Sequence, residues 1–126
     1  MTTKTIKSYR DLEVWKKAMD LTVAIYQLTE AFPESQRYGL ASQIQRAAVS
    51  VPSNIAEGHG RGHRKEYVHH LWMANGSLKE LETQLTLAVR LSFANKDIST
   101  KIWAETKTVG VMLRRLIDSL SSPSDP

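Results

Sequence analysis

Residues 67–91 read YVHHLWMANGSLKELETQLTLAVRL, and they carry the strongest structural signal in the chain. From Tyr67 to Ala88 the apolar residues recur at alternating spacings of four and three, the heptad pattern of helices that pack in left-handed bundles. The pattern predicts a long helix over residues 64–94. Gly76 lies inside it and costs about 1 kcal/mol of helix propensity, which burial of the seam outweighs. The predicted seam is Tyr67, Leu71, Ala74, Leu78, Leu81, Leu85, Ala88 and Leu91.

The first predicted helix, residues 11–30, has two adjacent apolar stripes. Ser8 and Asp11 have the spacing of a capping box that starts a helix. One stripe is enough for the core of a single bundle, so the second predicts contact with a neighbouring subunit through Trp15, Met19 and Tyr26. The alternative is that these side chains only cover the edge of the core. The first stripe is Val14, Ala18, Leu21, Ile25 and Leu28, and the second adds Leu12 and Thr22 to the three interface residues.

Two further helices are predicted, over residues 36–57 and 98–120. Pro33 precedes the earlier helix, and Pro52 lies inside it, where a kink is expected. Gly58 is expected to end it, so residues 58–63 form a flexible basic connection. Four amphipathic helices with short turns predict an all-α, antiparallel up-down-up-down four-helix bundle. The bundle domain is residues 11–120, after an N-terminal extension (1–10) and before a disordered tail (121–126). The inward residues of the last helix are Ile102, Val109, Leu113, Leu116 and Leu120.

Composition excludes several classes of function. The 126 residues contain no cysteine, which excludes disulfides, thiolate metal sites and cysteine nucleophiles. No secretory signal and no uninterrupted apolar run of about 18 residues is found. We therefore expect a cytoplasmic protein without a membrane partner.

The net charge of +4 is concentrated in one short segment. Residues 59–70 hold three Lys/Arg and one Asp/Glu, a net of +2 and half of the excess, and also all four histidines. Clustered cations bind phosphates and release counterions. The predicted nucleic-acid-binding residues are Arg61, Arg64, Lys65, Arg37, Arg114 and Arg115.

Catalytic and metal-binding patterns are weak. No Gly-x-Ser-x-Gly or Walker A sequence occurs, so the sequence predicts no enzyme and no cofactor. His59 and His63 have helical metal-ligand spacing but span three glycines, and His69 and His70 diverge by about 100° on a helix. No metal site is expected.

Polar residues climb two of the predicted helices at spacings of three and four. If the rows face each other, Arg46 pairs with Glu80 or Glu57 in a buried network, because a buried charge needs a partner. We expect this network to stabilise the bundle rather than to bind a ligand. The predicted network is Gln43, Arg46, Asn54, Glu57, Glu80 and Gln84.

Several blocks of sequence resemble a known family. They are LEVWKKAM (12–19), IYQLTEAFP (25–33), YGLASQIQRAAVSVPSNIAEG (38–58) with Arg61, and GSLKELETQL (76–85). Together they resemble the four-helix-bundle proteins encoded by intervening sequences in bacterial 23S rRNA genes. The resemblance covers nearly all of residues 9–95, and the last helix matches only in its apolar pattern.

This resemblance implies a homopentamer with a central channel and a basic surface. Nucleic-acid binding is the activity usually suggested for the family, which has no established active site. Related bundles include the accessory variability proteins of diversity-generating retroelements. The alternative function is therefore a protein–protein adaptor, for example an accessory partner of a reverse transcriptase. The positions that match are Gln43, Arg46, Asn54, Glu57, Gly58, Arg61, Ser77, Glu80 and Gln84.

Overall fold

The computed structural model describes residues 5–120 of the chain. Within them it contains four α-helices, two short 3-10 helices and no β-strand. The predicted tail and the first four residues of the predicted N-terminal extension lie outside the described residues. The helices are α1 (Glu13–Thr29), α2 (Leu40–Gly60), α3 (Arg64–Arg90) and α4 (Lys96–Leu120), and the 3-10 helices are Tyr9–Asp11 and Glu34–Gln36.

The four helices form an antiparallel bundle. Each helix packs against the next one in the chain, and α1 also packs against α4, which closes the bundle. The connections between helices are short, so consecutive helices run in opposite directions. The largest contact is that of α2 with α3. The predicted fold class is confirmed.

The α3 seam is the centre of the core. Leu71, Ala74, Leu78, Leu81, Leu85 and Ala88 are all buried, as predicted. The two ends of the seam differ from the prediction: Tyr67 is only partly buried, and Leu91 is exposed because it lies after the last turn of α3.

Helices α1 and α4 bury most of the residues that the sequence predicted to face inward, and α4 differs near its end. All five residues of the first α1 stripe are buried. On α4, Ile102, Val109 and Leu113 are buried, whereas Leu116 and Leu120 are only partly buried. Ile117, which the prediction left out, occupies the core instead.

The first α-helix begins at Glu13 and not at residue 11 as predicted, because a separate 3-10 helix precedes it. Ser8 and Asp11 do form a capping box, but it begins the 3-10 helix Tyr9–Asp11. Leu12 follows with extended backbone (φ −75°, ψ 125°). Leu12 therefore separates the 3-10 helix from α1, which begins at Glu13.

The boundaries of α2 also differ from the prediction. The helix begins at Leu40, after the 3-10 helix, and continues without interruption through Pro52 and Gly58 to Gly60. The α2–α3 connection is therefore only three residues long, Arg61 to His63. Gly62 supplies its left-handed conformation, with φ 75°.

A Schellman turn ends α3 four residues earlier than predicted. Ser92 has φ 61°, and the Phe93 amide donates to the Ala88 carbonyl at 2.8 Å while the Ser92 amide donates to Val89 at 3.0 Å. Those two hydrogen bonds satisfy carbonyls that have no partner within the helix. Asn95 then starts α4 by accepting a hydrogen bond from the Ile98 amide at 2.9 Å.

Candidate nucleic-acid interface

The bundle brings five of the six predicted basic residues to one end. Arg61, Arg64 and Lys65 lie at the α2–α3 connection, where α4 also ends. Arg114 and Arg115 lie in the last two turns of α4. We call these five residues the basic end. Arg37 precedes α2 and lies at the opposite end, about 30 Å away along a 21-residue helix, so it does not belong to this cluster.

The cations of the basic end are exposed, and Arg61 and Arg114 each lie near an acidic residue four positions away in the chain. Arg61 lies 3.7 Å from Glu57, with both side chains about half exposed. Arg114 lies 3.3 Å from Asp118, with both side chains about two-thirds exposed. Exposed ion pairs of this kind are worth less than about 1 kcal/mol. A phosphate could therefore displace the carboxylates at little cost.

The four histidines do not converge. The His59 ring lies edge-on to Tyr67 at 5.6 Å, and His63 precedes the first turn of α3. The rings of His69 and His70 are 5.8 Å apart. Between residues 5 and 120 no group of three His, Cys, Asp or Glu side chains is placed to hold a metal ion.

The predicted polar rows do face each other, but not as a buried ion pair. Gln43, Arg46, Glu80 and Gln84 line an open groove of about 490 Å³ between α2 and α3. Arg46 is exposed and donates to the Ser42 hydroxyl at 3.0 Å. Glu57 pairs with Arg61 instead of Arg46. The predicted buried ion pair of Arg46 with Glu80 or Glu57 is wrong. The groove is open to water, so the charge of Arg46 stays hydrated and does not need a carboxylate partner.

A different polar chain connects α2 and α3. The hydroxyls of Ser50 and Ser77 are 2.8 Å apart. Asn54 donates to the Ser50 hydroxyl at 3.0 Å, and its side-chain oxygen lies 3.2 Å from His70 Nδ1. Asn54 was predicted in the network. His70 was missed, because its sequence position shows no partner until the two helices are brought into register.

The second stripe of α1 is divided between the edge of the core and the surface. Met19 and Tyr26 are exposed, and Trp15 is partly buried, with its ring edge-on to Tyr9 at 5.2 Å. Met19 and Tyr26 are therefore available to a neighbouring subunit, whereas Trp15 packs against the edge of the core, as the alternative interpretation predicted.

A scan of protein families places the chain. The family model described as "23S rRNA-intervening sequence protein" matches residues 10–115. The chain belongs to this family. The resemblance found in the sequence is thereby confirmed, and it extends through most of the last helix.

One solved structure has a similar four-helix bundle. It is the 1.70 Å crystal structure of a protein of unknown function from the S23 ribosomal protein family of Bacteroides thetaiotaomicron. The two structures superpose with a TM-score of 0.77 at 23% sequence identity, over 83% of this chain and 95% of the other. This likeness establishes the fold alone. No curated protein matches the chain significantly.

Gly58 lies where α2 and α3 pack closely together. A Cβ built on Gly58 would lie 2.6 Å from the His70 Cβ and 3.3 Å from the Tyr67 carbonyl oxygen. Only a residue without a side chain lets α2 and α3 approach this closely. The matching glycine in the sequence resemblance is therefore explained by packing rather than by ligand binding.

Among residues 5–120, no helix is both long and apolar enough to cross a bilayer.

Proposed function

We propose that this chain is a non-enzymatic cytoplasmic protein that assembles into a homopentamer and binds RNA or DNA through its basic end. The observation that carries the proposal is the gathering of Arg61, Arg64, Lys65, Arg114 and Arg115 at one end of the bundle. Their positive charge attracts the phosphate backbone regardless of sequence.

Assembly is supported by the apolar surface of α1. Met19 is 41% exposed, Val23 55% and Tyr26 44%. Together with Trp15 they form a continuous apolar patch on one side of the helix, and such patches mark sites of protein contact. A ring of copies would repeat the basic end several times on one particle, which strengthens binding to a long polyanion through effective concentration.

The experiment is a filter-retention titration of labelled RNA and DNA between about 50 and 200 mM salt. We expect retention at low salt and a steep decrease as salt rises. The variant R64A/K65A should bind more weakly at every salt concentration. Its matched control is R37A/K101A, which removes the same charge at the opposite end of the bundle and should bind as the wild type does.

Two outcomes would contradict this proposal. Absence of retention at low salt would exclude nucleic-acid binding. Equal loss in both double variants would mean that total charge matters and not the basic end. The adaptor alternative predicts a third pattern, namely capture of a protein partner such as a reverse transcriptase that survives nuclease treatment and high salt.

A further inference from the structure

An open groove runs along the outer surface between α3 and α4. It has two hollows of about 320 and 280 Å³, one near Trp103 and the other near Trp72. Five cationic side chains line the two hollows. They are Arg90 and Lys96 in the first, and Lys79, Lys107 and Arg114 in the second.

Each hollow is lined by one exposed tryptophan, and a cation lies over each of the two rings. Lys107 Nζ lies 4.3 Å from the centre of the Trp103 ring, and the Arg114 guanidinium carbon lies 5.4 Å from that of Trp72. Trp103 is 41% exposed and Trp72 44%. Lys107 and Arg114 are seven residues apart on α4, so the two tryptophan–cation pairs lie roughly 10 to 20 Å apart along the groove.

Glu82 is the single acidic residue that lines either hollow in the described chain. Its Oε1 lies 3.4 Å from Lys79 Nζ and 3.7 Å from Lys107 Nζ. Its Oε2 is buried without a hydrogen-bond partner. One carboxylate therefore bridges two lysines from different helices, and five cations against one anion leave the lining of the hollows at +4. Asp118, outside the hollows, reduces this excess by pairing with Arg114.

We propose that the α3–α4 groove binds single-stranded nucleic acid, with a base stacked on each tryptophan and phosphates beside the lysines and arginines. This inference rests on the proposed function and adds the site and the strandedness. Proteins that bind single-stranded nucleic acid combine aromatic side chains with cations. An unpaired base can stack its π-face on an aromatic ring, whereas the bases of a duplex are already stacked on each other. Lys107 lies over the Trp103 ring and Arg114 over the Trp72 ring, so an incoming base takes the place of the cation, which then pairs with a phosphate.

The charge of the groove argues against a second copy of this chain as its occupant. In a ring of copies the groove of one subunit would face a different surface of the next. The apolar α1 patch of Trp15, Met19, Val23 and Tyr26 has no carboxylate to compensate the buried cations, and burying unpaired charges is costly. A polyanion supplies the missing negative charge.

The test uses fluorescence anisotropy with a labelled single-stranded oligothymidylate and a duplex of equal length. We expect the wild type to bind the single strand more tightly. Trp103→Leu and Trp72→Leu should each weaken single-strand binding by about 5- to 150-fold, the effect of losing one base stack, with little effect on the duplex. The matched control is Tyr38→Leu, since Tyr38 is an exposed aromatic beside a cation, Arg37, outside the groove.

A second variant tests the electrostatics without removing an aromatic ring. Glu82→Gln removes the one carboxylate of the groove lining and should tighten single-strand binding and steepen its salt dependence. Circular dichroism of every variant checks that the helices remain. In a Trp15→Phe background, the fluorescence of Trp72 and Trp103 should be quenched when the oligonucleotide binds.

The outcomes separate this inference from the proposed function. If R64A/K65A weakens binding while both tryptophan variants and Glu82→Gln leave it unchanged, the groove is not the site and the basic end remains. If Trp103→Leu alters the sedimentation coefficient but not the affinity, the groove is a subunit interface and the inference is overturned. If the wild type binds neither oligonucleotide, both proposals fail.

Discussion

The Thr22 hydroxyl of α1 lies 3.1 Å from the Ala48 carbonyl oxygen of α2, the acceptor to which position 52 would donate in a regular helix. Position 52 is a proline and has no N–H. Thr22 therefore supplies, from another helix, a hydrogen bond that α2 lacks. The same hydroxyl also lies 2.8 Å from the Ala18 carbonyl oxygen, so its proton is shared.

Thr22→Val should therefore destabilise the protein by about 1–2 kcal/mol, because the buried Ala48 carbonyl loses its donor while the side-chain shape is kept. Urea denaturation at fixed protein concentration measures the loss. The control is a double-mutant cycle with Pro52→Ala, which restores an N–H at position 52. In that background Thr22→Val should cost less than in the parent; an equal cost in both backgrounds would show that the two residues act independently.

Gly58→Ala should destabilise the protein by about 1–3 kcal/mol, the usual cost of overpacking. The added methyl group would meet the His70 Cβ and the Tyr67 backbone, neither of which is a flexible chain end. Gly60→Ala is the matched control: it lies two residues on in the same helix, and nothing lies within 4 Å of its built Cβ. It should be neutral or stabilising by up to about 1 kcal/mol. Thermal unfolding of both variants compares them directly, and similar midpoints would contradict the packing role of Gly58.

Ser92→Gly should stabilise the protein by up to about 1 kcal/mol. Ser92 adopts φ 61° at the end of α3, a conformation that costs a residue with a side chain roughly 1–2 kcal/mol and glycine almost nothing, partly offset by the greater entropy of glycine in the unfolded chain. The opposite exchange, Gly62→Ala, places a side chain at φ 75° and should destabilise. A lower melting temperature for Ser92→Gly would show that its strain is relieved by other contacts.

Tyr67→Phe should leave stability unchanged or raise it by about 1 kcal/mol at neutral pH, because the Tyr67 hydroxyl is buried without a hydrogen-bond partner. Desolvation raises the pKa of Tyr67 above its ordinary value of 10.0. The folded state thus retains the phenol proton longer than the unfolded state does. Below pH 10.0 the phenol is protonated in both states, and stability decreases as the pH rises through the folded pKa because the unfolded state loses the proton first. The variant should lose less stability above pH 10 than the parent in parallel denaturation curves; identical alkaline decreases would assign them to other groups.

Met19→Asp should dissociate the proposed assembly without unfolding the bundle, because Met19 is exposed and a carboxylate would be costly at an apolar subunit interface. Sedimentation should change from a multiple of 14.2 kDa to the mass of one chain, 14.2 kDa. Met19→Leu, which keeps an apolar side chain at the same position, is the control and should leave the assembly intact. A wild-type protein that sediments as a single chain would contradict the assembly proposal outright.

The fold could be predicted because its core depends on periodicity. The α3 seam and the first stripe of α1 are regular over several turns. Apolar residues at spacings of three and four lie on one face of an α-helix, so the buried face of each helix can be predicted. The helix ends could not be predicted in the same way. Gly58 packs against α3 and α2 continues past it to Gly60, whereas a glycine pair in the sequence alone indicates a turn.

The site was predictable in its charges but not in its geometry. Arg61, Arg64 and Lys65 are adjacent in sequence, so their cluster was visible. Arg37 was assigned to the same surface by its charge, although the predicted helix over residues 36–57 already separates it from Arg61 by the length of that helix. The α3–α4 groove was missed because Trp72, Trp103 and Lys107 come from two helices and meet only when those helices pack.

The three-residue connection between α2 and α3 also bears on how the chain folds. The two helices that share the largest contact are neighbours in sequence, so the most extensive interface of the bundle closes after a short chain segment is ordered. Short-range closure costs little entropy and speeds folding. The helical hairpin of α2 and α3 is therefore expected to form in the folding transition state, and α1 and α4 to dock onto it afterwards.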